Sequence, residues 1–178
     1  NLISYKEDKC EVDTPDGTLV AFTPDKEVFK NMEESFSFDK ICAEVKNIAY
    51  LNKGIHFIVE KYQGESVEYY SNEGIADFIK EKSKKPLMKK PIICSASDGT
   101  DELEIAFMWT GGTESSYVFV NGLYVPEGGS PITGAKTALT NSMKKLSGKN
   151  FDSELIRKGL VYAINCKVTN PSFANQTK

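Results

Sequence analysis

Between Ser115 and Val168 a strand, a long helix and a second strand follow one another, and this order constrains the fold most. Ser115 to Val125 (SSYVFVNGLYV) is apolar and β-prone, and it reads as one strand. Glu127-Gly128-Gly129 makes a turn, and Pro131 suits the first turn of a helix. Ile132, Ala135, Ala138, Leu139, Met143 and Leu146 form the apolar stripe that carries this helix to about Leu146. Asp152 starts one more helical turn, and Gly159 releases the chain into a last strand, Leu160 to Val168. Strand, helix, strand requires a crossover connection between strands of one sheet.

The upstream half supplies further elements. Gly17 to Asp25 (GTLVAFTPD) reads as a strand entered by Pro15-Asp16-Gly17 and ended by Pro24. Asp25 is placed to cap a short helix, Lys26 to Met32. Asp39 opens a longer helix to about Asn52, with Gly54 as its stop. His56 to Tyr62 and Ser66 to Tyr70 form a hairpin across Gln63-Gly64-Glu65. Gly74 to Lys82 is a helix with Ile75, Phe78 and Ile79 on one face. Lys80 to Lys90 is lysine-rich, broken by Pro86, and reads as an exposed connection. Pro91 to Ser97 pairs with Glu102 to Thr110 across Asp98-Gly99. In that second strand Leu103, Ile105, Phe107 and Trp109 alternate with Glu104, Ala106 and Met108, so one face is expected to be buried.

The last stretch ends the sheet. Pro171 cannot donate to a ladder, and the residue before it is pushed away from helix. The strand therefore delivers a polar loop closing on Gln176, Thr177 and Lys178. An ammonium, an amide and a hydroxyl suit phosphate oxygens. A solvated polar tail is the plainer reading of that tripeptide alone.

Composition excludes some classes. The 178 residues carry a net charge of −3, so the whole molecule is no basic nucleic-acid binder, and any DNA contact must come from a local patch. Lys84, Lys85, Lys89 and Lys90 form the one candidate patch, with a solvated loop as the alternative. Cys10, Cys42, Cys94 and Cys166 are widely spaced with no CxxC. Three sit in apolar segments, where thiols are usually buried, and they read as reduced in a cytoplasmic protein. His56 is the only histidine, which removes His-cluster metal sites. No apolar run reaches the length of a membrane span. GxxxxGK[ST], GxGxxG and HExxH are all absent. Gly111-Gly112 and Gly128-Gly129 read as turns rather than phosphate cradles.

Taken in order, five segments resemble the ATPase subunit of type IIA DNA topoisomerases: gyrase B and its topoisomerase IV, phage and eukaryotic counterparts. They are GTLVAFTPDKEVF, FDKICAEVKNIAYLNKGIHFIV, SNEGIADFI, YVFVNGLYVPEGGSPITGAKTALTNSM and IRKGLVYAINCKVTNPSFANQTK. The chain departs from the family at Ser130-Pro131, where Thr-His is usual, and at Lys158, where Glu is usual. These departures point to a divergent or phage-like member.

The resemblance implies an α+β chain: part of a nucleotide-binding α/β sandwich, residues 1–72, then a βαβ transducer domain with a left-handed crossover, residues 73–178. It implies ATP and Mg2+ as ligands of the full-length protein, with the magnesium ligands, catalytic carboxylate and glycine-rich lid outside this chain, which alone would not hydrolyse ATP. It places Lys178 as the catalytic cation at the γ-phosphate, Gln176 beside it, and Thr18 near the adenine pocket. The implied partners are double-stranded DNA, a DNA-cleavage subunit or domain, and a second copy of the full-length protein. A non-catalytic βαβ binding module of a MutL- or Hsp90-like protein is the alternative, since fold alone does not decide function.

Overall fold

The computed structural model describes residues 16–25, 27–30, 36–62 and 64–171. The chain divides into two compact units, Asn1–Ser37 and Phe38–Lys178.

In the first unit, residues 17–25 form no strand, contrary to the sequence expectation. A strand exists only against a partner, and among the described residues none pairs with this segment. Leu19, Val20 and Phe22 are accordingly exposed. Asp25 does cap a single turn: its Oδ1 accepts the Glu27 N–H at 2.8 Å and its carbonyl accepts the Phe29 N–H at 2.9 Å. Lys26 and residues 31–35 lie outside the described residues, so the full helix expected there is not covered. Phe36 packs edge-on against Phe29 and Phe22, with centroids 5.1 and 6.1 Å away.

The second unit opens with α1 (Phe38–Leu51), followed by a hairpin of β1 (Phe57–Glu60) and β2 (Ser66–Tyr69). Next comes α2 (Ile75–Lys82). Ser71 organises its start, accepting the Gly74 N–H at 2.9 Å and donating to Asp77 Oδ2 at 2.8 Å. Ile75, Phe78 and Ile79 recur at helical spacing and are buried. A five-stranded sheet follows, built from β3 (Ile92–Ser97), β4 (Glu102–Trp109), β5 (Ser115–Val120), β6 (Leu123–Tyr124) and β7 (Leu160–Lys167). Its order is β3-β4-β7-β5-β6. Only β5 and β7 run parallel, and α3 (Gly129–Ser147) and α4 (Ser153–Arg157) lie in the crossover between them.

Strand β7 is the centre. Its sequence LVYAINCK is buried at every position but the last, as a strand covered on both faces should be. On one face α2 contributes Ile75, Phe78 and Ile79 against Ala106, Met108, Phe119, Val161 and Ala163. On the other, α3 lays Ile132, Ala135 and Leu139 over Phe107, Val118, Tyr162 and Ile164. This corrects the reading of β4: Ala106, Phe107 and Met108 are all buried, because helices cover both sides of the sheet. Glu114 fastens the crossover, meeting Lys136 of α3 at 2.9 Å and Arg157 of α4 at 3.5 Å.

Two further expectations change. The 115–125 segment is two strands, because Asn121 (φ 49) and Gly122 (φ 81) form a tight hairpin turn. The β3–β4 hairpin keeps its expected strand ends, with Ser97 facing Glu102 across residues 98–101. Cys94, on edge strand β3, is exposed, while Cys42 and Cys166 are buried; all three are free thiols. Among the described residues, no helix is long and apolar enough to cross a membrane.

Candidate functional site

The sheet turns polar where β5 and β7 end. Because side chains alternate along each strand, the register Ser95–Glu104–Asn165 sets one polar row on the face that carries α1 and α2. The next row outward is Ser97–Glu102–Lys167. Lys53, just past α1, forms an ion pair with Glu104, and Lys167 meets Glu102 at 3.1 Å. These groups line an open cleft of about 580 Å³ with Asn52 and Ile55. On the opposite face a second cleft, of about 310 Å³, is lined by Leu103, Cys166 and Val168. Burial pushes the Cys166 thiol up, so it is a poor nucleophile and serves as packing. Ligands of open sheets gather outside the carboxyl ends of parallel strands, and this is that end of β5 and β7.

Beyond Lys167 the ladder stops, yet the backbone stays tethered. Val168 N–H donates to Asn121 Oδ1 at 2.8 Å, and Asn121 Nδ2 donates to the Val168 carbonyl at 2.9 Å. Thr169 donates its N–H to Asp101 Oδ1 at 3.0 Å and its hydroxyl to the same oxygen at 3.3 Å. The tip that carries Asp101 is itself tightly wound. Asp98 Oδ1 accepts the N–H groups of Asp101 (2.8 Å) and Thr100 (3.0 Å) and the Thr100 hydroxyl (2.8 Å). Those bonds, led by the Asp101 amide, hold the Asp98 carboxyl down to about 2.

The residues singled out in the sequence fall as follows. Gln176 and Lys178 lie outside the described residues; the chain is described up to Pro171, two residues past the tethered Thr169. Thr18 is exposed in the first unit, in a segment without regular structure. Lys84, Lys85, Lys89 and Lys90 are all exposed on the loop after α2. That loop is pinned to the end of β4: Leu87 N–H donates to the Trp109 carbonyl at 2.9 Å, and Gly111 N–H to the Lys85 carbonyl at 3.2 Å. His56 precedes β1, pairs with Glu68 and stacks on Tyr70 at 4.3 Å. Sequence reasoning missed Asn121, Asp101, Glu104 and Asn165 as site residues; the Asn121-Gly122 pair was the signal for the first.

The fold and this tethered strand end define a class: a mixed α/β domain whose βαβ crossover brings the end of its last strand, held by two side chains, to the carboxyl end of its sheet. The chain belongs to the DNA gyrase B family, whose model, described as DNA gyrase B, matches residues 74–178. It is 34% identical over 183 residues to the DNA gyrase B protein of Myxococcus xanthus, covering 94% of this chain and 22% of that protein. It is 33% identical over 177 residues to the DNA gyrase B protein of Streptococcus pneumoniae, covering 91% of this chain and 27% of that protein. The chain thus spans well under half of these two relatives. Among solved structures it is similar to the 43K ATPase domain of Thermus thermophilus gyrase B in complex with an aminocoumarin. That match has TM-score 0.75 and 27% identity, covering 85% of this chain and 44% of the other. It shares the fold of Myxococcus xanthus gyrase B, with TM-score 0.75 and 19% identity over 94% of this chain and 52% of the other.

Proposed function

We propose that this chain is part of an ATP-dependent type II DNA topoisomerase, where it couples ATP binding and hydrolysis to DNA strand passage. The observation that carries this is the family match over residues 74–178, which runs through Gln176-Thr177-Lys178. In this reading residues 1–72 belong to the nucleotide-binding domain and residues 73–178 to the transducer. Lys178 meets the γ-phosphate with Gln176 beside it, and Thr18 lies near the adenine. A cation held at the transferring phosphoryl group stabilises charge that builds in the transition state. Because the cation rides on the transducer, loss of the γ-phosphate releases the contact. Nucleotide thereby biases a two-state element.

Among the described residues no group of three or more His, Cys, Asp or Glu side chains is placed to hold a metal ion. The family resemblance assigns the magnesium that accompanies ATP to residues outside this chain, and the roles of Lys178 and Gln176 do not pass through it. Double-stranded DNA, a cleavage subunit or domain, and a second copy of the full-length protein are the partners, in the cytoplasm. The four loop lysines face the DNA backbone, since phosphate contact needs only exposed positive charge.

The test is Lys178→Ala in the full-length protein. ATP turnover is expected to fall by about 10²-fold or more, as when a transition-state charge partner is removed, with ATP binding largely kept. Near-normal turnover would overturn the assignment.

A further inference from the structure

We propose that Asn121 and Asp101 are positioning residues for Gln176, Thr177 and Lys178, gripping the backbone of Val168 and Thr169 from the two sides of β7. This rests on the phosphate-binding role of Lys178.

The paired ladders end at Val120 with Cys166 on one side of β7 and Glu102 with Lys167 on the other. Past those pairs no strand among the described residues holds the chain, and two side chains take over. Asn121 comes from the β5–β6 turn and Asp101 from the β3–β4 tip, so they approach from the strands flanking β7. The Asn121 amide offers one acceptor and one donor in a single plane and thus copies a peptide group. It closes both bonds to Val168, at 2.8 and 2.9 Å, adding one more rung to the sheet. Its own N–H donates to the Cys166 carbonyl at 2.8 Å.

The turn by itself does not require this residue. A left-handed position takes Gly most readily, and Asn or Asp more easily than other residues. Bonding both the N–H and the carbonyl of Val168 requires a carboxamide. The side chain therefore makes bonds that the hairpin does not need. Asp101 repeats the pattern: its backbone serves the tip, accepting from Asp98 N–H, while its carboxylate reaches away to Thr169. Asn170-Pro171 follows at once, and Gln176 comes seven residues after Thr169 in sequence. The grip sits at the end of the described sheet and fixes the direction in which the chain leaves β7. Small displacements of a reacting group far from the chemistry can reduce rate on the order of 10²-fold.

Asn121→Gly separates the two roles, since glycine keeps the turn and loses the grip. In the full-length protein it is expected to lower kcat for ATP hydrolysis by about tenfold or more while KM stays within about twofold. In the same full-length protein, hydrogen exchange at the Val168 and Thr169 amides is expected to rise with the melting temperature nearly unchanged. Asp101→Ala, which leaves the backbone bonds of the tip in place, is the second variant and should shift kcat the same way. Unchanged kcat in both variants, or unchanged exchange in Asn121→Gly, overturns the proposal. Lys178→Ala measured alongside separates the failures. If Lys178→Ala is inactive while Asn121→Gly and Asp101→Ala both turn over normally, the positioning role alone falls. If Lys178→Ala is active, the reading of the loop falls and this role with it.

Discussion

Replacing Gly159 by alanine should unlatch β7 from β4. Gly159 adopts φ +75, and a Cβ there would stand 2.2 Å from the Thr110 carbonyl oxygen. Contacts between a carbon and an oxygen settle near 3.2 Å or beyond, so the two backbones must part by about 1 Å. The same two residues are latched: Gly159 O accepts the Thr110 N–H at 2.7 Å and the Thr110 hydroxyl at 3.0 Å, and Thr110 is buried. The left-handed backbone costs about 1 kcal/mol for a non-glycine residue. Losing two buried hydrogen bonds adds roughly 1 kcal/mol each. The total is about 3 kcal/mol, or roughly 6–12 °C in melting temperature for a chain of this size. Gly148→Ala is the matched control. Its φ is +65, and a Cβ would meet nothing within 4 Å, so only the backbone penalty of about 1 kcal/mol applies. Urea unfolding of both variants of the 178-residue chain reads the difference. Equal destabilisation within about 0.5 kcal/mol would refute the reasoning, because the close approach would then carry no energy.

Phe78 is 3% exposed and meets the rings of Tyr50, Tyr117 and Phe119 edge-on, so Phe78→Ala should destabilise by about 3–5 kcal/mol in urea unfolding. The Asp98 carboxyl, held down to about 2, stabilises the β3–β4 tip above its ordinary value of 3.8 and loses that effect as pH falls toward 2. Side-chain NMR titration should place its midpoint near that lower value, and a midpoint at or above the ordinary one would contradict this bonding. Neutralising Lys84, Lys85, Lys89 and Lys90 together should flatten the salt dependence of duplex DNA binding by the full-length protein, lowering the log–log slope by about 3–4. An unchanged slope would remove the loop from the DNA path.

The elements with strong helical spacing are legible without coordinates. α1, α2 and α3 start and stop within a residue or two of where caps, Gly54 and Pro131 place them, because their signals are local. What escapes the sequence is decided by neighbours. Residues 17–25 have strand composition, but composition does not supply a partner. β4 alternates as if one face were wet, and only the placement of α2 and α3 on opposite sides of the sheet buries Ala106 and Met108 as well as Phe107. Cys94 sits in an apolar run yet lies on an edge strand, which no run of residues announces. The Asn121-Gly122 turn has a sequence signal, but the apolar residues on either side continue so smoothly that they mask it. The grip on Val168 needs coordinates, since it joins positions 47 apart in sequence.

The most direct measurement is a crystal structure of the full-length protein with a non-hydrolysable ATP analogue. The Lys178 ammonium is expected within about 2.7–3.0 Å of a γ-phosphate oxygen, the distance of a charge-assisted hydrogen bond. An ammonium standing in solvent, with the triphosphate contacted by other groups, would contradict the phosphate-binding role.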